Sequence, residues 1–246
     1  MLRLGNVDVR PAHPSEFRVL VAARSAGLGQ LRGYLAADLV RRYAERTGLA
    51  PTVIDLSPDG EAGLRAACDQ LNIHPPGHTM AEPFGAGQLA GQFPDGLREP
   101  LFDVGVRVAG EAAGRVVDGL AGHWLDVAPD GKRVELGEEP LAVRMNLMRQ
   151  GYGGELAGDP SRRDGELARW RGLVAGWARS PSGAISRRHA DAITAAFGDG
   201  LDTPAALREL AALADDASVP DGVKFETFAA ADRLFGLDLA RDVGRA

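Results

Sequence analysis

The sequence predicts an α/β fold, with a parallel-stranded domain over residues 1–139 and an all-α helical domain over residues 140–246. Three observations predict it. Short apolar runs rich in Val, Leu and Ile stand in the first half. A Gly-containing turn and an amphipathic stretch separate the first two of them. Beyond Pro140 the apolar residues recur at helical spacing to the end. With 246 residues, 45% of them hydrophobic and 25% charged, the chain can bury a sizeable core and is not disordered as a whole.

Residues 1–16, with two prolines, read as an irregular lead-in. Phe17 to Ala23 is a short apolar run, the pattern of a strand buried on both faces. Arg24 to Gln30 reads as the turn, and Leu31 to Arg46 as a helix with Leu31, Leu35 and Leu39 on one face. Gly48 stops it, and Pro51 to Leu56 is the second strand, which completes a βαβ unit. A second helix is expected over Gly60 to Leu71, followed by a long Pro- and Gly-rich loop over 72–100. Leu101–Val108 and Trp124–Val127 read as strands and Ala109–Leu120 as a helix, with Pro129-Asp130-Gly131 as a turn. The helices expected next are Leu141–Gln150, Arg163–Arg179, Ser186–Phe197, Pro204–Asp215 and Phe225–Leu234, with Thr203 capping the fourth.

Composition excludes several classes of function. No run approaches the roughly 20 apolar residues needed to span a bilayer, and no basic start precedes an apolar stretch, so a cytoplasmic location is expected. The single cysteine, Cys68, rules out a disulfide framework and any zinc site of several thiolates. A net charge of −6 argues against constitutive nucleic-acid binding. The stretch 141–190 is locally basic, with nine Arg against four acids. A salt-bridged helix surface is the plainer reading of it than an RNA groove.

Few side chains suggest chemistry on their own. Gly27 and Gly29 after the first strand, with Gly33 further on, let backbone amides approach a phosphate at a positive helix end. Asp55, closing the second strand, is placed to take a ribose hydroxyl. The third glycine of the dinucleotide spacing is missing, so a nicotinamide-dependent activity rests on this turn alone. His74 and His78 read as exposed loop histidines, and no metal site is expected. Asp38 reads as a capping or pairing residue, Trp170 and Trp177 as core, and Cys68 as a small buried apolar residue.

Several segments, taken in order, resemble cysteinyl-tRNA synthetases and their relative, mycothiol cysteine ligase. Gly29-Gln30-Leu31-Arg32-Gly33-Tyr34-Leu35-Ala36-Ala37-Asp38, with Arg41-Arg42-Tyr43, resembles the segment after their HIGH motif. Leu71-Asn72-Ile73-His74-Pro75-Pro76 is similar to an LN(V/I)xPP stretch. His123–Val127 and Asp130–Gly137 resemble the strand and loop that bear the KMSKS signature, and Pro140–Tyr152 the helix after it. Phe197–Leu207, FGDGLDTPAAL, is close to DDxFNTPxAL, and Asp232–Leu239 resembles the end of the helical domain. The resemblance runs from about residue 17 to 240. It implies a Rossmann-like class I synthetase nucleotide-binding domain followed by an all-α helical bundle.

It also implies a chemistry whose groups this sequence has partly lost. Adenylation spreads charge over phosphate oxygens, which positioned donors must stabilise. In the family, the histidines of HIGH and the lysines of KMSKS do so. Here the tetrad aligns with Gly27-Leu28-Gly29-Gln30, which holds no imidazole, and Lys132 and Arg133 are the cations at the second signature. Gln30, Lys132 and Arg133 are thus the catalytic candidates, and Gly27, Gly29 and Asp55 those for holding ATP. One missing donor costs about 3 kcal/mol of transition-state stabilisation. The family's zinc is not expected either, because Ala22-Ala23 stands where its first cysteine ligand would be.

The leading expectation is a synthetase-like paralogue that keeps at most a pocket for ATP or an aminoacyl-adenylate. Its small-molecule partner would be an amino acid or adenylate. No anticodon-binding domain follows in the sequence to Ala246, so tRNA charging is not expected. The alternatives are an ATP-dependent amino-acid:amine ligase and a non-catalytic interaction protein.

Overall fold

The structure, a computed structural model, describes residues 1–12, 14–23, 27–56, 63–79, 102–109, 123–133, 135–162 and 165–245. A small hairpin, β1 (Leu2–Leu4) and β2 (Val7–Val9), precedes the main sheet. It is joined by a two-residue Gly5-Asn6 turn, and Gly5 takes the positive φ of 59° that its first position requires. The lead-in expected to be irregular is therefore paired, and its alternation L-R-L then V-D-V is the pattern of a half-buried ribbon.

The main sheet holds β3 (Glu16–Ala22), β4 (Ala50–Asp55), β5 (His78–Thr79), β6 (Val104–Val108) and β7 (His123–Val127). Its order is β5-β4-β3-β6-β7, and every pairing is parallel. β3 is central and buried along six of its seven residues, which accounts for its unbroken apolar run. Part of the expected 72–100 loop is thus the edge strand β5, aligned with Ile54 and Asp55 of β4. A two-residue strand carries too little pattern to be seen in sequence. The chain goes to one side of β3 through β4 and returns to the other through β6. This creates the crevice at the strands' C-terminal ends where α/β sheets bind ligands. The helix expected over Ala109–Leu120 lies almost wholly outside the described residues.

Helix α1 (Leu28–Arg46) packs on β3, β4 and β6. It begins earlier than expected, so Leu28, Gly29 and Gln30 are its first turn and not part of the preceding loop. Gly33 is the close-approach point, since a Cβ there would lie 2.6 Å from that of Ala23. After α2 (Leu64–Gln70), the helical half consists of α3 (Pro140–Gln150), α4 (Glu166–Trp177), α5 (Arg187–Gly198), α6 (Thr203–Asp215) and α7 (Asp221–Phe235). The cap of α6 is Asp202, which accepts the Ala205 amide at 2.9 Å. Thr203, expected in that role, instead donates to the Met148 carbonyl at 2.6 Å and ties α6 to α3. Trp170 and Trp177 stand edge-on to Phe228, as core residues. One apolar core runs from β3 through α1 into α7.

Gly33→Ala is expected to lower stability by about 1–3 kcal/mol through overpacking, against the gain in helix propensity. The urea midpoint reads this out, and adding Ala23→Gly is expected to restore part of the loss.

Candidate functional site

The sheet topology and the Gly-containing segment direct attention to the start of α1. Gly27 has a φ of 68°, and a Cβ on it would collide with the Lys132 carbonyl. The loop after β7 lies directly on this turn. The Leu28 amide donates to the Lys132 carbonyl at 2.9 Å and the Gly29 amide to the Asp130 carbonyl at 2.7 Å. The two segments singled out in the sequence are therefore neighbours. The amides of Leu28 and Gly29, however, are already bonded to carbonyl oxygens, so a phosphate would have to displace the loop to reach them.

Arg32, not singled out from sequence, fixes this contact. It is fully buried and donates to the carbonyls of Ala128 (3.3 Å), Gly151 (2.9 Å), Tyr152 (3.1 Å) and Gly154 (2.8 Å). The root of the β7 loop and the exit of α3 are thereby held to one side chain. Burial lowers its basicity, partly offset by Tyr152 and Asp130. An arginine in an apolar-looking helix gives no sequence signal of this use.

The other candidates are placed differently. Gln30 is buried in α1. Lys132 is 67% exposed and lies 3.8 Å from Asp130, and Arg133 is exposed. Among the described residues no hydrogen bond joins the Gln30 side chain to either cation. Backbone, not side chains, is what these segments bring together. Asp55 is buried and accepts a 2.6 Å hydrogen bond from the Tyr34 hydroxyl, so the carboxylate assigned to a ribose already has an internal partner. Burial, with the Asp55 charge second, pushes the Tyr34 hydroxyl well above its ordinary range. Burial also pushes the Cys68 thiol up to about 12, which suits an inert core residue. Among the described residues no three metal-ligating side chains cluster, and no helix is long and apolar enough to cross a membrane.

The most strongly organised polar group lies further along α1. The Asp38 carboxylate is buried and accepts from Arg41 (3.0 Å), Arg42 (2.8 Å) and Arg144 of α3 (2.8 Å). Arg144 is fully buried and also donates to the carbonyls of Phe235 (2.7 Å), Leu71 (2.9 Å) and Asn72 (3.2 Å). Arg42 reaches the Asn72 carbonyl at 2.8 Å and that of Arg233 at 3.3 Å. Asn72, at a φ of 55°, donates its side-chain amide to the Gly236 carbonyl at 3.0 Å. His74 Nδ1 lies 2.8 Å from the Arg41 guanidinium and 3.5 Å from Asp38, and Asp38 also accepts the His74 backbone amide at 3.3 Å. Burial alone would raise the Asp38 carboxyl, but Arg144, His74 and Arg42 hold it well below the usual range.

No protein-family model matches the chain, and no curated protein matches it.

Asp38→Asn is expected to destabilise the fold by about 3–5 kcal/mol, because three arginines lose their buried counter-ion. The native carboxyl titrates below an unfolded value of about 3.9. Its contribution is therefore present above that pH and is lost as pH falls toward the native value. Urea titrations across the acid range are expected to show this slope in the parent chain and a shallower one in the variant.

Proposed function

We propose that the protein is a divergent class I synthetase-like chain, related in plan to cysteinyl-tRNA synthetases and mycothiol cysteine ligase. It holds an ATP- or aminoacyl-adenylate-sized ligand at the C-terminal edge of its sheet and no longer adenylates at ordinary rates. The supporting observation is the meeting of the two signature-like segments, with the β7 loop bonded to the first turn of α1. A shared parallel sheet would not by itself bring them together.

The same contact supports the loss of rate. Adenylation needs unused donors aimed at the developing charge. The amides of Leu28 and Gly29 are occupied, and the aligned tetrad holds no imidazole. Lys132 and Arg133, exposed beside the contact, are the cations left for a phosphate, and they act as binding groups there.

Isothermal titration with ATP and with a non-hydrolysable aminoacyl-adenylate analogue tests the reading. Binding of at least one is expected, weakened about tenfold or more by combined Lys132→Ala and Arg133→Ala, the effect of losing charge-assisted contacts. Absence of binding by both removes the pocket. Amino-acid-dependent pyrophosphate exchange is expected at background level, and robust exchange would instead support the amino-acid:amine ligase.

A further inference from the structure

A cleft of about 530 Å³ opens where α2, the start of α3 and the end of α7 converge. Arg42 lines it, fourteen residues along α1 from Leu28, so the cleft lies roughly 20 Å along the helix axis from the α1 opening. Its volume falls in the range of small-ligand sites, and its place between two packed halves is where such sites concentrate.

Most of its charged lining is already engaged. Arg42 belongs to the Asp38 cluster. Asp232 accepts the amides of Leu237 at 2.8 Å and Leu239 at 2.9 Å. Arg241 bonds Asp238 at 2.8 Å and also reaches Glu139. Two lining charges differ. Asp69 on α2 and Arg233 on α7 are exposed, and among the described residues neither side chain has a hydrogen bond or ion pair. They do not pair with each other either. A carboxylate from α2 and a guanidinium from α7 thus line one polar cleft whose other charges are already paired.

We infer that this cleft binds a zwitterion of amino-acid to tripeptide size, its ammonium toward Asp69 and its carboxylate toward Arg233. The guanidinium fork matches a carboxylate in a way that an ammonium cation does not. A ligand carrying one sign of charge would satisfy one wall and leave the other unmatched, which is the basis of selection here. The inference is independent of any nucleotide binding at the α1 opening.

The full chain is titrated calorimetrically with L-alanine, tri-alanine, N-acetyl-tri-alanine and tri-alanine amide. Tri-alanine or L-alanine is expected to bind, and capping either end of tri-alanine to weaken binding about tenfold or more, the usual cost of one charge-assisted contact. Asp69→Asn is expected to erase the difference between tri-alanine and its N-acetyl form, and Arg233→Gln that between tri-alanine and its amide. Both side chains are exposed, and unchanged thermal midpoints of the free variants confirm that the fold is kept. The proposal is overturned if neither L-alanine nor tri-alanine binds at millimolar concentration. It is equally overturned if binding ignores the caps or the two substitutions.

Discussion

The carboxylate of Asp38 is the point on which the two halves depend. Three guanidiniums converge on it, two from its own helix and one from α3. Main-chain carbonyls of Leu71, Asn72, Arg233 and Phe235 accept further donors of Arg42 and Arg144, whereas the buried Arg41 Nε has no partner among the described residues. A buried polar network gains most from the members whose donors and acceptors are matched, here Asp38, Arg42 and Arg144. These partners come from the segment after α2, from α3 and from the end of α7, so the network forms only when both halves are in place. The network and the apolar core both include residues from either side of the sequence boundary near residue 140.

The opposite end of α1 has a different electrostatic character. A helix start offers free amides and about half a positive charge to an anion. Here the Asp130 and Lys132 carbonyls point their negative ends at that start. They occupy two donors and offset the positive charge of the helix start. The first turn carries no imidazole and its first amides are occupied, and both features lower the stabilisation available to a phosphate charge there. Fast nucleotidyl transfer asks for donors that are free and aimed at the developing charge. A site that only holds a ligand tolerates both features, because ground-state binding asks less of donor placement than transition-state stabilisation does.

What could be read from the sequence follows the range of each interaction. The strands β3, β4 and β6 and the five later helices were legible, because burial on both faces or on one helical stripe writes itself into consecutive residues. The Gly5-Asn6 hairpin was also written there, as alternation around a two-residue turn, yet reads easily as a loose terminus. Asp38 could be seen as a pairing residue, but its partner Arg144 is 106 positions away and no local pattern names it. The same holds for Arg32, whose four carbonyl acceptors lie far along the chain. Leu71-Asn72 and Asp232–Leu239 stood out only by resemblance, and their physical work is to supply carbonyls and close turns around the Asp38 cluster. Asp55 was placed correctly at the end of its strand. Its engagement by Tyr34 depends on how α1 lies on the sheet, which spacing along the chain does not reveal.

The arginines show why counting charges along a chain overstates a basic surface. The stretch 141–190 is positive by count, but Arg144 and Arg171 are interior. Arg171 bonds the Leu237 and Asp238 carbonyls and Glu139, and so fastens the segment after α7 to α4. Arg149 pairs with Glu166, and Arg169 with Asp215 at 2.5 Å. The described arginines left exposed there without a side-chain partner are Arg162, Arg179, Arg187 and Arg188, on separate elements or their ends. Backbone-type nucleic-acid binding needs several cations aligned along one track, each releasing counterions. With half of the described arginines committed to internal partners, the local excess measures how the helical half is bolted together more than what it could bind.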